Sequence, residues 1–275
     1  MFIKDPSKAL VFDIETGSLS LHKSSIFSIA YQHLGTSQGG EFIAGPVPGT
    51  FVTEWSKSQI WERTKNKPGI LSEQQVLSNF LGVLEKHAET PGATVVGWNI
   101  GYIPEAQGPE GSIQRGLDIP GLVTIAERYG LAERYQSVFS KLNIRDIGQE
   151  TAARLAEVVS KPEYESLLDP DIYRQAVGYN KALASQGIFQ NAPLEVKARA
   201  ASISGIRMAG WQQESIHQLM GLGKYEAHSA EDVAALSKML LSKQKIENEA
   251  EFVQRWGRVA LANKLISKAK YGGKS

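Results

Sequence analysis

Asp13 and Glu15 stand two residues apart at the end of the apolar run Ala9-Leu10-Val11-Phe12, with Ile14 between them. Alternation along a strand puts both carboxylates on one face and Ile14 on the other. Two like charges side by side repel unless a cation sits between them. Carboxylate oxygens suit Mg²⁺ or Mn²⁺ better than zinc or copper. The competing expectation is a strand end with two solvated acids. A second group lies far along the chain, where His228-Ser229-Ala230-Glu231-Asp232 leads into an apolar helical face of Val233, Leu236, Met239 and Leu240. Ser229 with Asp232 three residues on fits a capping box, which sets His228 just before the first turn with Asp232 beside it. Histidine titrates near neutral pH and is a candidate general base. Alternatively, Asp232 only caps the helix and His228 is a loop residue.

The elements that would position these groups follow from periodicity. Residues 9–14, Ser25–Tyr31 and Glu41–Ala44 are short apolar runs separated by glycines, the pattern of strands joined by turns. Val76, Leu77, Phe80, Leu81 and Leu84 recur at helical spacing, with Ser72 and Glu73 at the start and Pro91-Gly92 past the end. Ala93 to Trp98 is a buried strand, and strand–helix–strand order implies a mixed α/β sheet. Gly101 to Gly116 has four glycines and two prolines without period, and is expected to be an inserted loop. A helix resumes at Asp118 with Leu122, Ile125, Ala126 and Tyr129, and Gly130 suits its C-cap. Leu142–Ile144 reads as an edge strand. A helix from about Gln149 to Ser160, helical texture over 161–206, and three further helices complete the chain.

Composition sets outer limits. The 275 residues are 42 % apolar and 21 % charged, as in an ordinary globular chain. Thirty Lys and Arg against 29 Asp and Glu leave a formal charge of +1, so any nucleic-acid contact must come from local patches. With no cysteine, disulfides, thiolate nucleophiles and thiolate metal sites are excluded together. No signal peptide and no membrane span are expected, which leads to the expectation of a cytoplasmic protein of a bacterial or phage-infected cell.

Leu10-Val11-Phe12-Asp13-Ile14-Glu15-Thr16-Gly17-Ser18-Leu19 resembles the first motif of the DEDD superfamily of 3′→5′ exonucleases, the DnaQ-like proteins with a ribonuclease H-like fold. His228 to Asp232 resembles the third motif, and Gly97-Trp98-Asn99 the start of the second. The resemblance covers roughly residues 9–35, 93–150 and 212–242. Gly101-Tyr102-Ile103 stands where the family has its Phe-Asp pair. The acid is instead sought at Asp118, in a block resembling the proofreading exonuclease domains of family B DNA polymerases, with Glu105 as the alternative. Three residues separate His228 from Asp232, the spacing of the family's tyrosine type rather than its histidine type.

The resemblance implies an α/β fold with a ribonuclease H-like mixed sheet flanked by helices, a helical insertion and a helical C-terminal extension. It implies an exonuclease domain over 1–245, with insertions at 101–116 and about 161–206, and an extension over 246–275 with a basic tail. Asp13, Glu15, Asp118 and Asp232 would hold two Mg²⁺ or Mn²⁺ ions, and His228 would accept a proton from the attacking water. Ile14, Thr16, Leu19 and Asn99 would position the terminal nucleotide, with core packing the equal alternative for Leu19. The implied activity is hydrolysis of single-stranded DNA or other 3′ DNA ends to nucleoside monophosphates, with a separate DNA polymerase subunit as a possible partner. An exoribonuclease, or a catalytically degenerate module that binds nucleic acid or tethers a polymerase, are the alternatives. Trp55, Trp61, Trp211 and Trp256 have apolar neighbours and are expected to pack; Trp98 is open. The bases from Arg255 to Lys274 are expected either to lie on a solvated helix face or to meet phosphates.

Overall fold

The computed structural model describes residues 3, 5–36, 38–102, 118–208, 210–222, 229–241 and 248–271. The chain divides into two units, one of residues 1–145 with 225–241, the other of residues 146–224 with 242–275. The architecture is α/β, consistent with a ribonuclease H-like sheet that carries a helical insertion and a helical C-terminal extension.

The first unit is built on strands β1 (Ala9–Thr16), β2 (Ile26–His33), β3 (Gly39–Ile43), β4 (Thr94–Gly97) and β5 (Asn143–Asp146), in the order β3-β2-β1-β4-β5. β1 pairs antiparallel with β2 and parallel with β4, and β2 pairs antiparallel with β3. As the central strand, β1 is covered on both faces from Ala9 to Phe12, which is why it begins as a continuous apolar run. Beyond Phe12 the burial alternates: Asp13 and Glu15 keep partial exposure while Ile14 is buried. The register slips between Glu15 and Thr16, a bulge that ends regular pairing just past the second carboxylate.

Short helical segments α1 (Glu54–Ser56) and α2 (Glu62–Thr64) flank a turn of π-helix, Lys57–Trp61, ahead of α3 (Glu73–Ala88). Ser72 and Gln75 close a reciprocal capping box at the start of α3. Its buried face of Val76, Leu77, Phe80, Leu81 and Leu84 joins the sheet core, with the Phe80 ring 5.3 Å from that of Phe12. Next come α4 (Asp118–Ala126) and α5 (Ala132–Phe139), which pack on each other, and Gly130 ends the turn between them in the left-handed region. The Tyr135 hydroxyl donates to the carbonyl of Leu77, 2.7 Å away, and so ties α5 to α3.

The second unit contains α6 (Ile147–Val159), α7 (Pro170–Ser185), α8 (Leu194–Ser204) and α9 (Gln213–Leu219), whereas α10 (Ser229–Leu241) belongs to the first unit and packs on β1 and β2. The last helix, α11 (Glu249–Tyr271), returns to the second. This grouping differs from the expected division into 1–245 and 246–275. α6, α7 and α8 pack together, and α11 meets α7 and α9. α11 buries Val253, Trp256 and Ala260, so it completes a helical core. Arg255 donates to the carbonyl of Leu219 at 3.0 Å, and Lys264 pairs with Asp171 at 2.5 Å. These two bases are structural rather than free for phosphate. Among the described residues no helix is long and apolar enough to cross a membrane.

Candidate functional site

Three acids from distant parts of the sequence converge in the first unit. Asp13 and Glu15 come from the end of β1, and Asp232 from the first turn of α10, which packs against β1 and β2. One carboxylate oxygen from each lies within 4.8 Å of the others. The two-residue spacing works as the strand period requires, with Ile14 turned into the core at 7 % exposure.

Asp118 opens α4 as expected and is buried. Gly121, one turn further on, lets α4 approach β1: a Cβ there would stand 3.2 Å from Cδ1 of Ile14. Asp118 is not one of the three oxygens within 4.8 Å, yet it is the strongest of the charges acting on Asp13. Burial first, then Asp118, Asp232 and Glu15, raise the Asp13 carboxyl well above its usual value. Burial, then Asp232 and Glu231, push Glu15 up to about 8. Packed protein removes the hydration these groups would have in water, and each neighbouring carboxylate adds repulsion. A set of like-charged oxygens held this close, partly open to solvent, has the donor chemistry of a hard divalent cation. Perturbed acids of this kind gather at functional sites more often than elsewhere.

The expected nucleotide-positioning residues divide. The Ile14 side chain is core, on the face opposite the carboxylates as the strand alternation predicts. The Thr16 hydroxyl donates to the carbonyl of Ser18 at 3.0 Å and shapes the loop after β1. Leu19, on that loop, is 75 % exposed, so the packing alternative for it is excluded. Asn99 follows β4 with φ +63°, among the described residues the one non-glycine with positive φ. Asparagine tolerates that region better than most residues. Just before it, a Cβ on Gly97 would sit 2.9 Å from the carbonyl oxygen of Phe12, so β4 runs against β1 too closely for a side chain. His228 and Glu105 lie outside the described residues.

Several residues around the carboxylates carry little signal in the sequence. Glu231 acts on Glu15, and its one signal was adjacency to Asp232. The loop that carries Leu19 is pinned by Ser18 N–H donating to Ser24 Oγ at 2.8 Å. Behind it, the buried Glu73 carboxylate accepts from Ile26 N–H, from the Arg128 guanidinium and from the Tyr129 hydroxyl, each at 2.7 Å. Arg128 also donates to the carbonyl of Ser24 at 2.6 Å. Trp256 is buried as expected and Trp61 lies 6.3 Å from the Phe27 ring, but Trp55 is 61 % exposed, contrary to the packing role expected of it. Compared with models of known protein families and with curated proteins, the chain matches none.

Proposed function

We propose that the chain is a metal-dependent 3′→5′ exonuclease of the DEDD type that acts on single-stranded DNA ends and releases nucleoside monophosphates. One observation carries the reading: Asp13, Glu15 and Asp232, drawn from two motifs more than two hundred residues apart, bring oxygens within 4.8 Å, beside a fourth acid, Asp118, that acts electrically on Asp13. When bound, a pair of Mg²⁺ or Mn²⁺ ions supplies a nucleophile at neutral pH and charge stabilisation for both the attacked phosphate and the departing oxygen.

The chain's own residues do the rest. Asp13, Glu15, Asp118 and Asp232 hold the ions, and the β1 bulge sets the loop that follows at the rim of the site. Leu19 presents an apolar side chain to the base of the terminal nucleotide, and Asn99 lies on the turn that follows β4. His228, which precedes α10 in the chain, accepts the proton lost by the attacking water, a role worth roughly 10²–10⁴ in rate.

The test is a pair of single strands of matched sequence, one DNA and one RNA, labelled at the 5′ end and incubated with Mg²⁺ or Mn²⁺. The expected result is a DNA ladder shortening from the 3′ end, mononucleotides in the supernatant, and complete inhibition by a chelator. Faster loss of RNA would replace the reading with that of an exoribonuclease. Absence of cleavage on both strands with both ions would refute it.

A further inference from the structure

Trp55 and Phe51 are 61 % and 55 % exposed, and both sit on a segment fastened to the loop that follows the carboxylate strand. Phe51 N–H donates to the carbonyl of Lys23 at 2.6 Å, and Thr53 N–H donates to the carbonyl of Gly17 at 2.9 Å. Gly17 stands two residues beyond Glu15, and a Cβ on it would lie 3.2 Å from the carbonyl oxygen of Phe51. Thr53 then caps α1, accepting from Ser56 N–H at 3.0 Å, which fixes the backbone that carries Trp55. The segment also has an inward side, since Ser56 and Ile60 are buried. The outward aromatics are therefore not leftovers of a segment without a core. Two large aromatics left exposed four residues apart on one pinned segment offer a contact surface.

The charges around that segment narrow the partner. His22, Lys23 and Lys57 are exposed on the same two segments, and among the described residues neither lysine pairs with a carboxylate; of the exposed acids there, Glu54 and Glu62, the second pairs with Lys65. Aromatic faces interleaved with free cations suit bases and phosphates together, the chemistry of single-strand recognition. We infer that Trp55 and Phe51 form a stacking ledge for the bases next to the terminal nucleotide, with Lys23 and Lys57 at the intervening phosphates. The inference rests on the exonuclease reading for its direction along the strand, and extends it from the cleaved linkage to the bound strand.

The experiment measures binding apart from cutting. A fluorescein-labelled decathymidylate with phosphorothioate linkages is titrated by anisotropy against the full chain, with a dithymidylate as the short reference. Trp55→Ala and Phe51→Ala are each expected to weaken decathymidylate binding about tenfold, the scale of one lost base stack. Trp55→Phe, which keeps a ring, is expected to recover most of the loss. Phe189→Ala, an exposed aromatic of the second unit, serves as the control and is expected to bind like wild type. The gain in affinity from dithymidylate to decathymidylate should shrink in the two alanine variants. Wild-type affinity of Trp55→Ala for the decathymidylate would overturn the ledge. A protein that binds through Trp55 yet cuts no strand would contradict the exonuclease reading and keep the ledge; one that cuts without any dependence on Trp55 would do the reverse.

Discussion

Asp13→Asn is expected to lower turnover by about 10²–10³-fold, the order lost when one charge-stabilising group is removed from an active site, and yet to make the metal-free protein harder to melt. Both outcomes come from one cause. Burial and the charges of Asp118, Asp232 and Glu15 oppose ionisation of Asp13, so without a cation its carboxylate is a liability to the fold. Asparagine keeps the shape and removes the charge. The melting temperature in EDTA should rise by about 2–4 °C or more, the shift produced by ~1 kcal/mol in a chain of this size.

The same electrostatics fix the sign of the pH dependence. A carboxyl whose pKa is higher folded than unfolded holds its proton more tightly when folded, so stability falls as pH rises between the two values. For Glu15 that window runs from 4.5 to about 8. Metal-free wild type should therefore melt progressively lower from pH 5 to pH 8, and Mg²⁺ should restore more at pH 8 than at pH 5. Asp13→Asn should flatten both trends. A metal-free melting temperature that climbs over this range would contradict the picture of strained acids.

Arg128→Ala is expected to cost about 3–5 kcal/mol, because it strands a buried carboxylate without its counter-ion. The Glu73 side chain is fully buried while that of Arg128 is 29 % exposed, so the two halves of this pair are not equivalent. Losing Arg128 leaves Glu73 with only the neutral donors Ile26 N–H and Tyr129 O–H. Losing Glu73 leaves an arginine that still reaches water and the Ser24 carbonyl, so Glu73→Gln should cost less. The double variant should recover part of the Arg128→Ala loss. Against a total stability of roughly 5–15 kcal/mol, the arginine effect is large enough to read from urea melts. A cost below about 1 kcal/mol, as for an exposed pair, would show that the network does not hold the fold. Arg128 also braces the Ser18–Ser24 loop, which carries Leu19, the residue proposed to meet the terminal base.

Periodicity made the elements that frame the site readable. β1 announced itself through an apolar run that turns to alternation at Asp13, and α3 through its stripe from Val76 to Leu84. The start of α4 at Asp118 and the left-handed turn at Gly130 were legible for the same local reason. What escaped depends on contacts between residues far apart in sequence. The Arg128–Glu73 pair joins residues 55 positions apart, and nothing near either one names the other. Apolar neighbours around Trp55 could not say which side of its segment would face the core. Leu19 was undecidable because one exposed apolar residue after a strand looks the same as a buried one. The return of α11 to α7 and α9 likewise depends on tertiary packing and not on any break in composition.

Diffraction from crystals soaked in Mn²⁺, recorded at a wavelength where manganese scatters anomalously, tests the metal assignment most directly. The expected result is two anomalous peaks between β1 and α10, with oxygens of Asp13, Glu15, Asp118 and Asp232 around them and none in crystals of Asp13→Asn. A soaked wild-type crystal without a peak at these carboxylates, or with manganese held by other residues, would contradict it.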